Sequence, residues 1–312
     1  MRGRPPFGTA ALALALLAGF ASAPLFLSTY WVDVLDSVGI YALLALGLNL
    51  ILGEAGLYDM GHAAFFAVGA YTSAILSTRL PVPVLLTLPA AALAAGLFAA
   101  LVAIPVLRLR GDYLLIVTVG LGEIVRIALV NDVAGLTGGA NGIFGIPRPV
   151  LLGVTLRTPE QLFYLIWGAV GLTVLVFSRL SRGRFGRALR ALREDEVAAE
   201  GSGVATARAK LTAFVLGSAW AGMAGTLFAA KMTVVSPESF GFWESVLVFT
   251  MVLLGGAGSI PGVLLGAFLV VGLPELFRGL AAARMLVFGL ALMVMMVVRP
   301  RGLWPGRGGR AR

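Results

Sequence analysis

The feature that most constrains this chain is a succession of continuous apolar runs, each about as long as a bilayer's hydrocarbon core is thick. A helix needs roughly 20 apolar residues to cross that core. The runs do not alternate with polar residues, so they indicate helices and not the strands of a membrane barrel. Because they recur along the chain, they predict an all-α polytopic membrane protein.

The composition agrees with this prediction. Hydrophobic residues make up 59% of the chain and charged residues only 12%, whereas an average soluble domain is about a quarter charged. So few charges cannot coat a soluble surface, which excludes a soluble enzyme, a disordered chain and a nucleic-acid-binding module. The net charge of +9 is therefore attributed to basic cytoplasmic loops and contact with anionic membrane lipid, not to nucleic acid.

Hydropathy predicts about ten transmembrane helices. The predicted spans are 7–28, 35–53, 61–78, 83–107, 112–130, 161–179, 210–230, 243–257, 261–277 and 281–298. The first is interpreted as a retained helix and not a cleaved signal peptide, because Pro24 would follow the cleavage site and the apolar run continues beyond it. The eighth and ninth are short, which leaves open whether each crosses the membrane fully.

The distribution of arginines predicts the orientation. An even number of spans places the Arg-rich stretches 179–210 and 299–312 on one side. Basic loops stay in the cytoplasm, so both termini are expected inside. The expected organisation is a single transmembrane domain, 1–312, with a cytoplasmic loop at 180–209 and a basic cytoplasmic tail at 299–312.

The loop 180–209 is expected to contain an amphipathic helix. A helical stretch at 185–199 carries an apolar stripe, including Leu189, Leu192 and Val197, beside several arginines, and glycines at 201 and 203 end it. Such a helix can dock a soluble partner or lie on anionic lipid. The acidic run 194–196 favours a partner.

Polar residues within the apolar runs are candidates for a translocation path. Asn49, Thr118, Glu123 and Arg126 are of this kind. Glu123 and Arg126 lie three residues apart on one helix face, and a lone charge at that depth is costly, so they are expected to pair. The alternatives are an interhelical hydrogen bond for Asn49 or Thr118, and a purely structural ion pair assisted by Asp132. His62 is expected at the membrane interface.

Several kinds of chemistry are excluded by missing residues. The chain has no cysteine and one histidine, which excludes disulfides, thiolate sites and histidine-cluster metal sites. Neither Lys210 nor Lys231 follows the glycine-rich loop of an ATP site, and no nucleophile–base set is visible. We therefore expect no catalytic residue, no metal, no cofactor and no enzyme activity; energy for active transport would come from another chain.

Several motifs together resemble the LivM-type permeases of branched-chain amino acid ABC importers. They are 47–56, 69–71, 107–113 (LRLRGDY), 116–118, 122–126 (GEIVR), 136–143 (LTGGANGI), 186–196 (GRALRALREDE), 198–200 and 252–262 (VLLGGAGSIPG). The resemblance is collinear over roughly 35–300. Urea and short-amide permeases look similar, so the motifs specify the family more narrowly than its substrate.

The resemblance implies an ABC importer permease of the bacterial inner membrane that carries branched-chain or other apolar amino acids. It implies a second, LivH-like permease, two cytoplasmic ATP-binding subunits and an external solute-binding protein facing the outer loops. The segment 183–203 matches the loop that contacts the ATPase. The residues assigned to this contact are Arg187, Arg190, Arg193, Glu194, Asp195, Glu196, Glu200 and Gly203. A urea or amide importer and a self-contained secondary transporter remain alternatives.

Overall fold

The computed structural model describes residues 20–107, 109, 111–151, 153–276, 289, 293, 297–299 and 302–305. The helices are α1 (Ala23–Phe26), α2 (Thr29–Leu48), α3 (His62–Arg79), α4 (Val84–Val106), α5 (Asp112–Val130), α6 (Pro159–Arg182), α7 (Arg184–Glu194), α8 (Glu196–Gly201), α9 (Thr206–Met232), α10 (Phe242–Gly255), α11 (Ile260–Ala267) and α12 (Leu273–Leu276). A π-helical turn, Asn49–Glu54, extends α2, and another, Phe268–Gly272, joins α11 to α12.

Eight of the ten predicted spans coincide with these helices, within a few residues at most ends. The exception is the start of α2, which begins at Thr29 and not at 35. The span 281–298 and most of 7–28 lie outside the described residues. Within the described part of the chain, six helices are long and apolar enough to cross a membrane. This confirms the prediction of a mostly helical chain with several candidate membrane spans.

Side-chain and backbone contacts group the helix ends into two sets. At one end, Thr29 bonds Glu160, Tyr30 bonds Glu275, and Lys231 pairs with Asp33. At the other end lie α7, the π-helical end of α2 and the turn between α10 and α11. The helix pair α10 and α11 runs antiparallel, and Glu275 beyond it reaches the first end. The eighth and ninth predicted spans therefore both run between the two ends.

Two short antiparallel strand pairs lie in the connections at the first end. The strand β1 (Ile143–Phe144) pairs with β4 (Val234–Val235), and β2 (Val150–Leu151) pairs with β3 (Val154–Thr155). Residues 302–305 lie at the other end, where Leu303 and Trp304 donate backbone hydrogen bonds to Leu254 and Gly255.

The core of the bundle is formed by α2, α3 and α9, whose backbones approach closely. A Cβ on Gly69 of α3 would lie 2.2 Å from the carbonyl oxygen of Gly222 on α9. Only glycine permits such contact, and helices in lipid depend on close packing because apolar burial gives them little drive to associate. The helix α4 packs one face against α9, where its Ala91 carbonyl oxygen lies close to Gly222, and exposes apolar residues such as Leu97 on its other face. The helix α5 also exposes apolar residues, such as Ile124.

The junction between α2 and α3 is not a surface loop. After the π-helical turn the chain is non-helical over 56–61, yet Leu57 and Asp59 are buried. His62, the first residue of α3, lies against Gly47, which is about two turns before the end of the π-helical segment. His62, which was expected at the membrane interface, is buried within the protein, with an exposed fraction of 0%.

Candidate functional site

The helix α7 is the element predicted to meet the ATPase, and its apolar face turns inward. Leu189 is fully buried and Leu192 is 5% exposed. Gly186 allows α7 to lie against the end of α6, where a Cβ would come within 2.2 Å of the Ser181 carbonyl oxygen. Leu189 and Leu192 of the predicted apolar stripe therefore pack against this chain's own helices and are not available to a partner.

The predicted single helix over 185–199 is broken at Asp195. That residue has extended backbone angles, and its carboxylate accepts a hydrogen bond from the N–H of Ala198, 3.0 Å away, as the N-cap of α8. A carboxylate at this position satisfies a backbone donor that the new helix leaves unpaired. The chain leaves α8 through Gly203, whose φ of +82° favours glycine.

The residues assigned to the ATPase contact divide into three groups. Five exposed residues form the first group: Arg187, Glu194, Asp195, Glu200 and Gly203. Glu196 is half-buried and accepts from the Lys210 ammonium at 2.6 Å. The third group is the half-buried Arg190 and the exposed Arg193, which bond Glu54 and the Gly53 carbonyl oxygen at the π-helical end of α2. The sequence reasoning assigned these two arginines to the partner and did not identify Glu54.

An open groove of about 500 Å³ lies between α7 and the chain that enters α9. Its lining comprises Arg184, Phe185, Arg187, Ala188, Ala191, Val204 and Ala205. The groove thus has an apolar floor with two arginines. This combination can receive an apolar side chain together with an acidic group of a partner.

The side chains of Asn49 and Thr118 are buried, and each forms hydrogen bonds with backbone groups. The amide oxygen of Asn49 accepts from the N–H of Gly258 at 2.8 Å. The hydroxyl of Thr118 accepts from the N–H of Met60 at 3.0 Å and donates to the carbonyl oxygen of Leu115. Both side chains therefore join separate elements, but through backbone N–H groups of non-helical residues and not through the interhelical hydrogen bond considered for them.

Glu123 and Arg126 form the expected ion pair on α5, with a shortest distance of 2.5 Å. Glu238, from the connection before α10, adds a second carboxylate 3.2 Å from the guanidinium. The side chains of Glu123 and Arg126 are 41% and 27% exposed. Two carboxylates around one guanidinium leave a net negative charge on a face of α5 that is otherwise apolar.

Asp132 does not assist this pair, contrary to the expectation. Its carboxylate accepts from the N–H groups of Thr137 and Gly138 at 2.8 and 2.9 Å. Desolvation raises the pKa of Asp132, but these donors, the Thr137 hydroxyl and nearby Arg79 lower it more, so the pKa lies below its ordinary value. Asp132 therefore orders the glycine-rich turn 133–142.

A buried polar cluster surrounds the start of α3. Asp59 bonds His62 and the N–H of Gly61, and the Ser245 hydroxyl accepts from the N–H of Ala63 at 3.0 Å. Beside Ser245, Glu244 accepts a hydrogen bond from Tyr41. Sequence reasoning missed this cluster, although an aspartate two residues before a glycine amide is a recognisable turn signal. Non-helical backbone at membrane depth is tolerated where protein covers it.

The chain is similar to known permeases over most of its length. A family model described as "Branched-chain amino acid transport system / permease component" matches residues 30–298. The high-affinity branched-chain amino acid transport system permease protein LivM of Escherichia coli K12 is 43% identical, covering 94% of this chain and 74% of the relative. The corresponding LivH of E. coli K12 is 28% identical, covering 84% and 90%.

A third relative, the permease protein BraD of Pseudomonas aeruginosa, is 28% identical over 84% of this chain and 91% of its own length. No solved structure matches the chain.

Proposed function

This chain belongs to the family of branched-chain amino acid transport permease components, and we propose that it is a permease subunit of an ABC importer. In this proposal it carries branched-chain or other apolar amino acids across the bacterial inner membrane and has no enzyme activity of its own. The observation that carries the proposal is the 43% identity with a LivM protein over 94% of the chain.

The proposed membrane partner is a second, LivH-like permease. The chain resembles LivH and LivM proteins along most of its length, which is expected when two homologous permeases pair around one path. Separate ATP-binding subunits would supply the energy, and an external solute-binding protein would deliver the amino acid to the outer loops 131–160 and 231–244.

The proposed topology has about ten spans with both termini in the cytoplasm. The end that holds α7 and residues 302–305 also holds the arginines of the 180–209 loop. Basic residues favour the cytoplasmic side, so this end is assigned there. Completing the count requires that 7–28 and 281–298 each cross the membrane.

The ATPase is proposed to contact the groove beside α7. Arg187 lines the groove, and the exposed acidic residues Glu194, Asp195 and Glu200 lie nearby on the same segment. The turn at Gly203 directs the chain back into α9. In this arrangement the buried Leu189 and Leu192 pack α7 against the permease, and the ATPase contacts the outer, charged side of α7.

The translocation path is proposed to run along the exposed face of α5. A charged group facing lipid is costly, so the partly exposed Glu123 and Arg126 favour a face that meets a second permease or water. The ligand would then pass between the two permeases, with Glu123 and Arg126 at its side.

Co-purification tests the proposal. The chain is tagged, extracted gently from native membranes and identified together with everything that accompanies it. We expect an ATPase and a second permease in comparable amounts, and an amino acid retained by any accompanying binding protein. A stable homo-oligomer that carries no ATPase even after crosslinking would contradict the ABC importer and favour a self-contained transporter. Urea or a short amide as the retained ligand would contradict the proposal that the substrate is an amino acid.

A further inference from the structure

The helix α7 is bonded to the end of a membrane helix. The guanidinium of Arg190 donates to the Glu54 carboxylate at 2.9 Å and to the Ser181 carbonyl oxygen at 3.0 Å. Arg193 donates to the carbonyl oxygen of Gly53. The bonds to Glu54 and Gly53 join α7 to residues far away in sequence, at the point where α2 ends.

The bond between Arg190 and Glu54 is costly to break because the Glu54 carboxylate is buried. Its side chain is only 7% exposed, whereas that of Arg190 is 34% exposed. A buried carboxylate that loses its cation is strongly destabilised. Any displacement of Arg190 must therefore move Glu54 with it or break a bond that is costly to break. Gly56 fits directly beneath Arg193, since a Cβ there would lie 2.9 Å from the Arg193 Cγ.

The segment that receives these bonds is itself irregular. Residues 49–54 form a π-helical turn, and the chain beyond is non-helical to residue 61. Turns of this kind are rare, recur at functional sites and differ from an α-helical turn by a one-residue shift of hydrogen-bond partners. The end of α2 can therefore change its bonding pattern locally without unfolding the helix.

The same segment is bonded to two further elements, one of which, the turn at Gly258, also lies beside the Arg193 guanidinium. Asn49 accepts from the N–H of Gly258, in the turn between α10 and α11. The N–H of Met60 donates to Thr118, in the middle of α5. A Cβ on Gly53 would lie 2.4 Å from the Gly258 nitrogen, so the two backbones are in direct contact.

We propose that segment 49–60 is the relay that transmits the position of α7 to α5 and to the α10–α11 turn, with Arg190–Glu54 as its input and Thr118 and Gly258 as its outputs. This inference rests on the proposed function, because it takes α7 as the element that the ATPase moves. The residues of the relay are positioning residues: Arg190 acts through Glu54 on a helix that carries Glu123 and Arg126.

The test measures uptake and ATP hydrolysis together. The complex is reconstituted in proteoliposomes with Arg190→Gln at the input or Thr118→Val, which conserves volume, at the output. Each variant should lower the amount of amino acid imported per ATP hydrolysed by about 2-fold to 30-fold, with hydrolysis largely retained. Arg190→Lys should restore part of the loss, since it keeps the cation. Arg179→Gln, at an exposed arginine near the end of α6, should behave as wild type.

The double variant decides whether the two positions act in one relay. If they do, Arg190→Gln with Thr118→Val should lose little more than the larger single loss, because coupled sites are not additive. Unchanged import per ATP in both single variants, or fully additive losses, would overturn the relay. If the complex with Arg190→Gln fails to assemble, import per ATP by the Thr118→Val complex is the deciding measurement, and an unchanged value overturns the relay. A wild-type complex without ATP-dependent uptake would instead contradict the proposed function.

Discussion

The Nδ1 atom of His62 lies 3.0 Å from the Oδ2 atom of Asp59, and both side chains are completely removed from solvent. The other carboxylate oxygen of Asp59 accepts the N–H of Gly61 at 2.9 Å. One aspartate therefore satisfies two donors at the buried start of α3, where water cannot do so. This pair stabilises the interruption between α2 and α3 inside the protein.

Asp59→Ala should destabilise the protein markedly. The substitution leaves the Gly61 N–H without its acceptor and the His62 imidazole without its partner, and a buried unsatisfied group costs about 1–3 kcal/mol. Unfolding of the purified protein in detergent measures the loss. Tyr58→Ala, at the exposed neighbouring position, is the control. Equal stability of the two variants would show that the pair does not hold this junction.

The turn 133–142 should be ordered in a pH-dependent way. The pKa of Asp132 is lowered from its ordinary 3.8, so its contribution to stability is complete above that value. The contribution is lost as the pH falls through the lower pKa of the folded state. Amide exchange at Thr137 and Gly138, corrected for intrinsic rates, should therefore accelerate only below about pH 4.

Asp132→Asn is the matched control for this pH dependence, because asparagine tolerates the left-handed backbone of Asp132 and does not titrate. Its exchange should show no such transition. A transition at neutral pH in the wild type, or an unchanged one in the variant, would mean that another group orders the turn.

Arg187→Glu should weaken the contact with the ATPase. The substitution reverses a charge at the groove, while among the described residues Arg187 donates only to the Arg182 carbonyl oxygen, at 3.3 Å. We expect about tenfold less ATPase retained on the purified permease, the change that corresponds to 1.4 kcal/mol. Arg157→Glu, at an exposed arginine of the opposite end, should retain the wild-type amount. Similar losses in both variants would argue for general instability.

Arg126→Gln should slow uptake by roughly tenfold or more, because it leaves Glu123 and Glu238 without their shared cation, and a hydrogen bond to a charged group contributes about 1.5–3 kcal/mol. The measurement is the initial rate of amino acid uptake by the reconstituted complex at matched protein levels. Arg179→Gln, at an exposed arginine near the end of α6, is the comparison. Wild-type uptake in Arg126→Gln would make the ion pair a surface feature of α5 without a part in the path.

The helices could be predicted from sequence because apolar length is a local property. The predicted span 112–130 and the helix Asp112–Val130 have the same bounds, and the pairing of Glu123 with Arg126 followed from their spacing on one helix face. The end of the α7–α8 segment could likewise be predicted, since the left-handed backbone at position 203 is a local feature that favours glycine.

The contacts of the site could not be predicted because they depend on the packing of distant segments. Their own helix suggests that Arg190 and Arg193 face a partner. Only the proximity of Glu54 and Gly53 shows that both guanidinium groups also bond the end of α2. The burial of His62 depends in the same way on distant segments, because the start of α3 packs against Gly47 of α2 and bonds Ser245 of α10.

The most direct test of the account is ATP-dependent uptake of labelled leucine by proteoliposomes that contain this chain, its co-purified permease and ATPase partners, and the binding protein. We predict uptake that requires ATP and the binding protein and that unlabelled isoleucine or valine, but not urea, suppresses. Uptake by this chain alone, driven by an ion gradient and indifferent to ATP, would contradict the account.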